Sequence, residues 1–210
     1  MIPEKRSDMV LKNLRLAGAL LDGHFVLRSG RHSDQYVNKD ALYPYPWLMC
    51  EIGLVLADAA ISFWPDEHYL VVLGPEKGGI ILAQWAAWGL CQTSRLLPLH
   101  RTEKAVAVYA EKKDDGFVVQ RGMDQLLSGQ RVLVVEDVVT TGGSISKVAE
   151  LVPRYGGTLI GGLCLVNRGG VQLPWLKALV EMNITSWAAA DCPSCRDGIP
   201  INENVGAAKR

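Results

Sequence analysis

Short runs of consecutive apolar residues alternate along this chain with longer stretches in which apolar residues recur every three or four positions. The first kind fits strands buried on both faces, the second helices that cover them. Their alternation predicts an α/β fold, a mainly parallel sheet flanked by helices. Between Met9 and Leu21, the positions Leu11, Leu14, Leu16, Ala17, Leu20 and Leu21 give a helical pattern. Two short strands, Phe25–Leu27 and Tyr36–Asn38, flank the turn Ser29-Gly30-Arg31 and form a small hood beside the main sheet. Pro44 and Pro46 precede a second helix over Trp47–Phe63. Core strands are predicted at Tyr69–Leu73, Arg95–Leu99, Arg131–Val135, Thr158–Val166 and Ile184–Ala189, with helices at Gly79–Gly89, Ser144–Tyr155 and Pro174–Met182. Ala105–Ala110 and Phe117–Arg121 read as a hairpin around the charged turn Glu111–Gly116. The organisation is an N-terminal helix and hood over 1–45, a core over 46–201 and a loose tail over 202–210.

Composition narrows the classes. Apolar residues make up 49% of the 210 residues, which fits a globular core. Basic and acidic residues balance at 22 each, so no global positive field favours nucleic acid or an anionic membrane. An anionic substrate must be held by local groups. The polar start Met1–Arg6 does not read as a signal peptide, and no uninterrupted apolar run of about 18 residues predicts a membrane span. The expectation is a cytoplasmic protein. Five cysteines, an odd number, argue against a secreted disulfide scaffold.

The chemistry concentrates at Val132–Ser144. A continuous apolar run ends in two adjacent acids, Glu136 and Asp137, followed by Val138-Val139-Thr140-Thr141-Gly142-Gly143-Ser144 at the mouth of a helix. Glycines let backbone N–H groups converge on an anion, and the helix adds free N–H groups and the positive end of its dipole. Thr140, Thr141 and Ser144 add hydroxyl donors. Two carboxylates beside such a cradle would repel phosphate and accept hydrogen bonds from neighbouring sugar hydroxyls instead. The combination selects a ribose phosphate. The string lacks the Gly-Lys-Ser/Thr of a P-loop and the Gly-x-Gly-x-x-Gly of a dinucleotide site.

This string resembles the ribose-diphosphate motif of the type I phosphoribosyltransferases. Three further stretches resemble orotate phosphoribosyltransferases in particular: Gly23–Asn38, Gly74-Pro75-Glu76-Lys77-Gly78-Gly79-Ile80, and Val166-Asn167-Arg168-Gly169-Gly170. The resemblance implies transfer of a phosphoribosyl group from 5-phosphoribosyl 1-diphosphate to orotate, with Mg²⁺ as cofactor and a homodimer as the assembly. The implied donor site is Arg28, Lys77 and Glu136 through Ser144. The implied orotate site is Tyr36, Val37, Thr140 and Arg168, with Arg168 gripping the carboxylate. A catalytic loop over Tyr109–Gly116 would cover the diphosphate with Lys112 and Lys113, ahead of Arg101, Lys104 and Arg121, and Asp137 stands among the catalytic candidates. The family's lysine is replaced by Arg28 in the hood, and Lys77 is displaced by one position from the usual Tyr-Lys. A phosphoribosyltransferase for another base, or a non-catalytic phosphoribosyl-diphosphate-binding regulator, are the alternatives.

Cys192-Pro193-Ser194-Cys195 is a Cys-x-x-Cys after the last predicted strand. Zinc needs about four ligands, and the sequence shows no second Cys-x-x-Cys and no His pair. Two chains supplying four thiolates, or a redox pair, rank behind a tight turn that closes the domain. His24, His32, His68 and His100 are scattered, and no metal-ligating residue is assigned.

Overall fold

The computed structural model describes residues 4–27, 29–65, 71–96 and 105–205. Its main sheet has six strands: β3 (Val71–Pro75), β4 (Val106–Lys113), β5 (Gly116–Val118), β6 (Arg131–Val139), β7 (Thr158–Asn167) and β8 (Leu176–Glu181), in the order β5-β4-β3-β6-β7-β8. All pairings are parallel except β4 with β5. Successive side chains of a strand point to opposite faces, and the core divides accordingly. Val72, Leu133, Val135, Leu163 and Leu165 pack under α1 (Glu4–Leu16), α2 (Pro46–Phe63) and α3 (Gly78–Leu96). Val71, Leu73, Val132, Val134 and Cys164 pack under α4 (Gly143–Arg154).

By length and composition α2 would suffice to cross a bilayer, a run that the two acids Glu51 and Asp58 interrupt. Half of it is instead inside the protein, where Leu48, Met49, Ile52 and Leu56 are fully buried. Its Asp58 pairs with Arg6 of α1.

Four expected elements differ, the first being the N-terminal helix, which ends at Leu16 so that Leu20 and Leu21 fall in a strand instead. The stretch Arg95–Leu99 does not begin as a strand, because α3 runs on through Leu96; residues 97–99 lie outside the described ones. Pro174–Met182, rich in helix formers, is the strand β8. The open edge of β7 needs hydrogen-bonding partners, and burying Leu176, Leu179 and Val180 there overrides local propensity. Ile184–Ala189, beyond β8, does not join the main sheet. It runs beside the hood through a single bridge between Trp187 and His32.

The hood is an antiparallel pair, β1 (Leu20–Val26) and β2 (His32–Val37). A bulge between Asp22 and Phe25 sets two residues of β1 against one of β2. The C-terminal segment clasps it. Ser33 Oγ donates to Thr185 O at 2.8 Å, Arg31 Nε to Ser186 Oγ at 2.9 Å, and Asn202 N to His24 O at 2.7 Å.

Candidate active site

The carboxyl ends of β3, β6 and β7 lie side by side, where open α/β sheets bind ligands. β6 is longer than its apolar run predicted. It carries Glu136 and Asp137 inside the ladder and ends at Val139. Thr140-Thr141-Gly142 then turns into α4. Gly142 has φ +76°, a left-handed conformation that side chains resist, and a Cβ there would stand 3.0 Å from Val171 Cγ1. The turn leaves Thr140, Thr141 and Ser144 exposed around a concavity of about 50 Å³, lined by Glu136, Val138 to Ser144 and Ile145. The expected cradle residues therefore converge, at the positive end of α4.

Behind the cradle the two acids are buried and differently held. Asp137 Oδ2 accepts hydrogen bonds from Lys39 Nζ at 2.6 Å and Tyr43 OH at 2.5 Å, while Oδ1 takes Val138 N at 2.6 Å. Burial would lower the Lys39 pKa, but the Asp137 carboxylate outweighs it and the net shift is upward. Tyr43 is also shifted upward, by burial first and Asp137 second, so it stays a neutral donor. Glu136 accepts Asp137 N at 3.1 Å. Its own burial, with the Asp137 charge beside it, raises its pKa to about 8. Burial thus favours the protonated form of Glu136, while Lys39 and Tyr43 hold the Asp137 side chain. The repulsion that two bare carboxylates would exert on a phosphate is thereby reduced. Lys39 and Tyr43 were not legible as site residues, because nothing in the local pattern links them to an acid 98 and 94 positions on.

Arg168 follows β7 directly, and its backbone N–H donates to Val139 O at 2.8 Å. Gly169 approaches Thr140 so closely that a Cβ would fall 1.7 Å from Thr140 O. Thr140 and Arg168 consequently share a cavity of about 450 Å³ with Leu27, Ile184 and Ser186 among its walls. The guanidinium is half-buried, and among the described residues it has no ion-pair or hydrogen-bond partner. Burial lowers its pKa, partly offset by Tyr36 of the hood. Such a cation is prepared to accept an anion. Val37, also expected near the base, is a buried residue at the end of β2.

The other expected cations are less gathered. Lys77 is exposed in the turn after β3, where the Glu76–Lys77 peptide is cis, and Gly78 packs against Asp137 and Tyr43. Lys112 and Lys113 are exposed at the end of β4. Their loop is a regular hairpin with a two-residue Asp114-Asp115 turn, and Lys147 of α4 donates to Asp115 O. Arg121 is committed to Glu111 at 2.8 Å. Arg28, Arg101 and Lys104 lie outside the described residues.

One expectation is overturned. The histidines are not all scattered: His24 and His32, on facing hood strands, meet Cys192 and Cys195, all four ligand atoms lying within 4.8 Å of one another. The turn at Cys192 does form, as α5 (Pro193–Arg196). What linear spacing hid is that the hairpin and the C-terminal segment pack together.

A family model for the phosphoribosyl transferase domain matches residues 57–194. The chain is 34% identical over 197 residues to the orotate phosphoribosyltransferase of Caldicellulosiruptor bescii, covering 92% of this chain and 94% of the relative. It is 36% identical over 197 residues to that of Caldanaerobacter subterraneus subsp. tengcongensis, with coverage of 92% and 94%. Among solved structures, orotate phosphoribosyltransferase from Aeropyrum pernix superposes with a TM-score of 0.58 at 27% identity, over 82% of this chain and 93% of that one. The Mycobacterium tuberculosis H37Rv enzyme in complex with Fe(III) dicitrate shares the fold, with a TM-score of 0.61 at 22% identity over 84% and 96%.

Proposed function

Because this chain belongs to the orotate phosphoribosyltransferase family, we propose that it transfers the phosphoribosyl group of 5-phosphoribosyl 1-diphosphate to orotate. The bond from ribose C1 to the diphosphate oxygen breaks and a bond from C1 to orotate N1 forms. The products are orotidine 5′-monophosphate and diphosphate. The observation that carries this reading is the shared cavity, in which a half-buried Arg168, unpartnered among the described residues, stands beside Thr140 of the expected phosphate cradle. A neutral purine would leave that cation uncompensated, whereas the carboxylate of orotate pairs with it.

In this reading the hydroxyls of Thr140, Thr141 and Ser144 and the amides of Gly142 and Gly143 hold the 5-phosphate. Val138 and Val139 bring the backbone up to the sugar. Glu136 and Asp137 face the ribose diol, and a hydroxyl reaching Asp137 Oδ2 competes with Lys39 and Tyr43 for it. Lys39 is then left free to follow the negative charge of the donor. Tyr36 and Val37 wall the base, and Lys77, Lys112, Lys113 and Arg28 offset charge that builds on the leaving diphosphate. Orotate N1 can arrive already ionised, so the reading needs no general base. The buried acids are the hard oxygen donors that suit Mg²⁺, and Glu136 and Asp137 would hold it through its waters beside the diphosphate. When bound, Mg²⁺ neutralises the departing diphosphate. A homodimer and cytosolic residence belong to the same proposal; the free thiols of Cys50, Cys91 and Cys164 suit a reducing compartment.

The test is turnover of orotate with donor and Mg²⁺, run beside adenine, guanine, hypoxanthine and uracil. Orotidine monophosphate formed from orotate alone among these bases is the expected result. Turnover of a purine without orotate refutes the substrate assignment. Donor binding with no turnover of any base refutes the catalytic one and points to a regulator.

A further inference from the structure

The hood meets the C-terminal segment at a cluster with its own chemistry. His24 and His32 come from β1 and β2, while Cys192 and Cys195 bracket the first turn of α5. His24, His32 and Cys192 are buried, and Cys195 is exposed, leaving a path from solvent. Three of the sulfur–nitrogen separations are 3.6 Å (Cys192 to His24 Nε2), 3.6 Å (Cys195 to His24 Nε2) and 3.3 Å (Cys195 to His32 Nδ1). A tetrahedral zinc with bonds of about 2.0–2.1 Å to nitrogen and about 2.3 Å to sulfur sets its S···N edges at roughly 3.5–3.6 Å. The two imidazole nitrogens stand 2.8 Å apart and need to open to only about 3.3 Å on the same geometry.

The surroundings fit the same occupant. His24 Nδ1 lies 2.7 Å from Ile199 O. Donation to that carbonyl puts the ring proton on Nδ1 and leaves the Nε2 lone pair facing the cluster, the arrangement that orients a metal-bound histidine. Without a metal the four groups can share only one strong hydrogen bond, between the rings, and thiol contacts of the weak kind. Two thiolates and two imidazoles favour zinc over magnesium or calcium, which prefer oxygen. We propose that His24, His32, Cys192 and Cys195 form a four-coordinate structural zinc site, supplied by a single chain, that clips the hood to the C-terminal segment. All four positions are filled by protein, so the site is closed to substrate and distinct from the phosphoribosyl pocket.

The proposal is tested on the full-length protein, independently of its catalytic reading. The reduced wild type is equilibrated with Zn²⁺, desalted and analysed for metal. A parallel sample is loaded with Co²⁺ and its absorption spectrum recorded. One zinc per chain is expected, with intense visible ligand-field bands of tetrahedral cobalt and a thiolate-to-cobalt charge-transfer band in the near ultraviolet. Chelation is expected to lower Tm and speed proteolysis within residues 20–37, both restored by added Zn²⁺. Cys195→Ser, at the exposed ligand, should fold and weaken zinc affinity by at least tenfold; His24→Ala should do the same. Retention of less than a tenth of an equivalent by the reduced wild type overturns the proposal. So does an octahedral cobalt spectrum, or a Cys195→Ser protein that binds zinc as tightly as wild type.

Discussion

Replacing Glu136 by Gln isolates the cost of burying an acid behind the phosphate cradle. The side chain keeps its shape, and its oxygen can still accept the Asp137 N–H now made at 3.1 Å. What disappears is the ionisation. A pKa raised by burial and by Asp137 from its ordinary 4.5 to about 8 sets an upper bound of roughly 5 kcal/mol, at about 1.4 kcal/mol for each pH unit. Relaxation and water entry on ionisation reduce this, and about 2–3 kcal/mol is a reasonable expectation. The sign follows from linkage. The folded protein favours the protonated acid, so this group's contribution is fully present below the unfolded pKa and is lost as pH rises towards 8. Urea unfolding at pH 4.5, 6, 7, 8 and 9 should show wild type and Glu136→Gln nearly equal at the acid end. The variant should become progressively more stable, reaching a constant advantage above pH 8. A difference that is flat with pH, or a variant less stable at pH 8, would refute the claim that burial favours the protonated form of Glu136.

Arg168→Ala should raise KM for orotate by at least tenfold while changing KM for the donor less than threefold; steady-state kinetics with each substrate varied decides it, and equal effects count against the carboxylate clamp. Gly142→Ala forces a side chain into the left-handed region and against Val171, so urea unfolding should show a loss of about 1–2 kcal/mol, and donor KM should rise with it. Lys39→Met leaves Asp137 with Tyr43 as its remaining side-chain donor. Because the lysine is about a third exposed, the loss should lie between that of surface and buried pairs, about 2 kcal/mol by urea unfolding. Below pH 7 that loss should hold steady, since the raised Lys39 pKa keeps its stabilisation in place, and it should grow as pH passes 8, where Glu136 ionises without the lysine beside it.

The parts of this fold that the sequence displays are those governed by one periodicity. The run Val132–Val135 is apolar without interruption, so β6 and the cradle at its end were legible. The acids were legible as a pair, but not as a pair held by different partners, because that depends on Lys39 and Tyr43 arriving from the hood side. β8 was hidden because Leu176, Lys177, Ala178 and Glu181 are good helix formers whose strand conformation is imposed by the neighbouring edge. Ile184–Ala189 has the apolar pattern of a strand, yet only Trp187 makes a bridge, to His32 of the hood, and Ala189 already opens a 3-10 turn. The His–Cys cluster was invisible for the same reason. Its two halves are 160 positions apart between His32 and Cys192, and no short-range spacing announces them.

The ladder between β6 and β7 continues to Val139 opposite Asn167, and the Arg168 N–H adds one more rung to Val139. The turn after β6 and the arginine turn after β7 are therefore bolted to a common rail. Neither can swing without tearing hydrogen bonds that hold the other, so the distance from phosphate anchor to base anchor behaves as a fixed gauge. On the proposed reading, substrates would be sorted by whether they span that gauge, and any opening and shutting would fall to parts that do not share the rail.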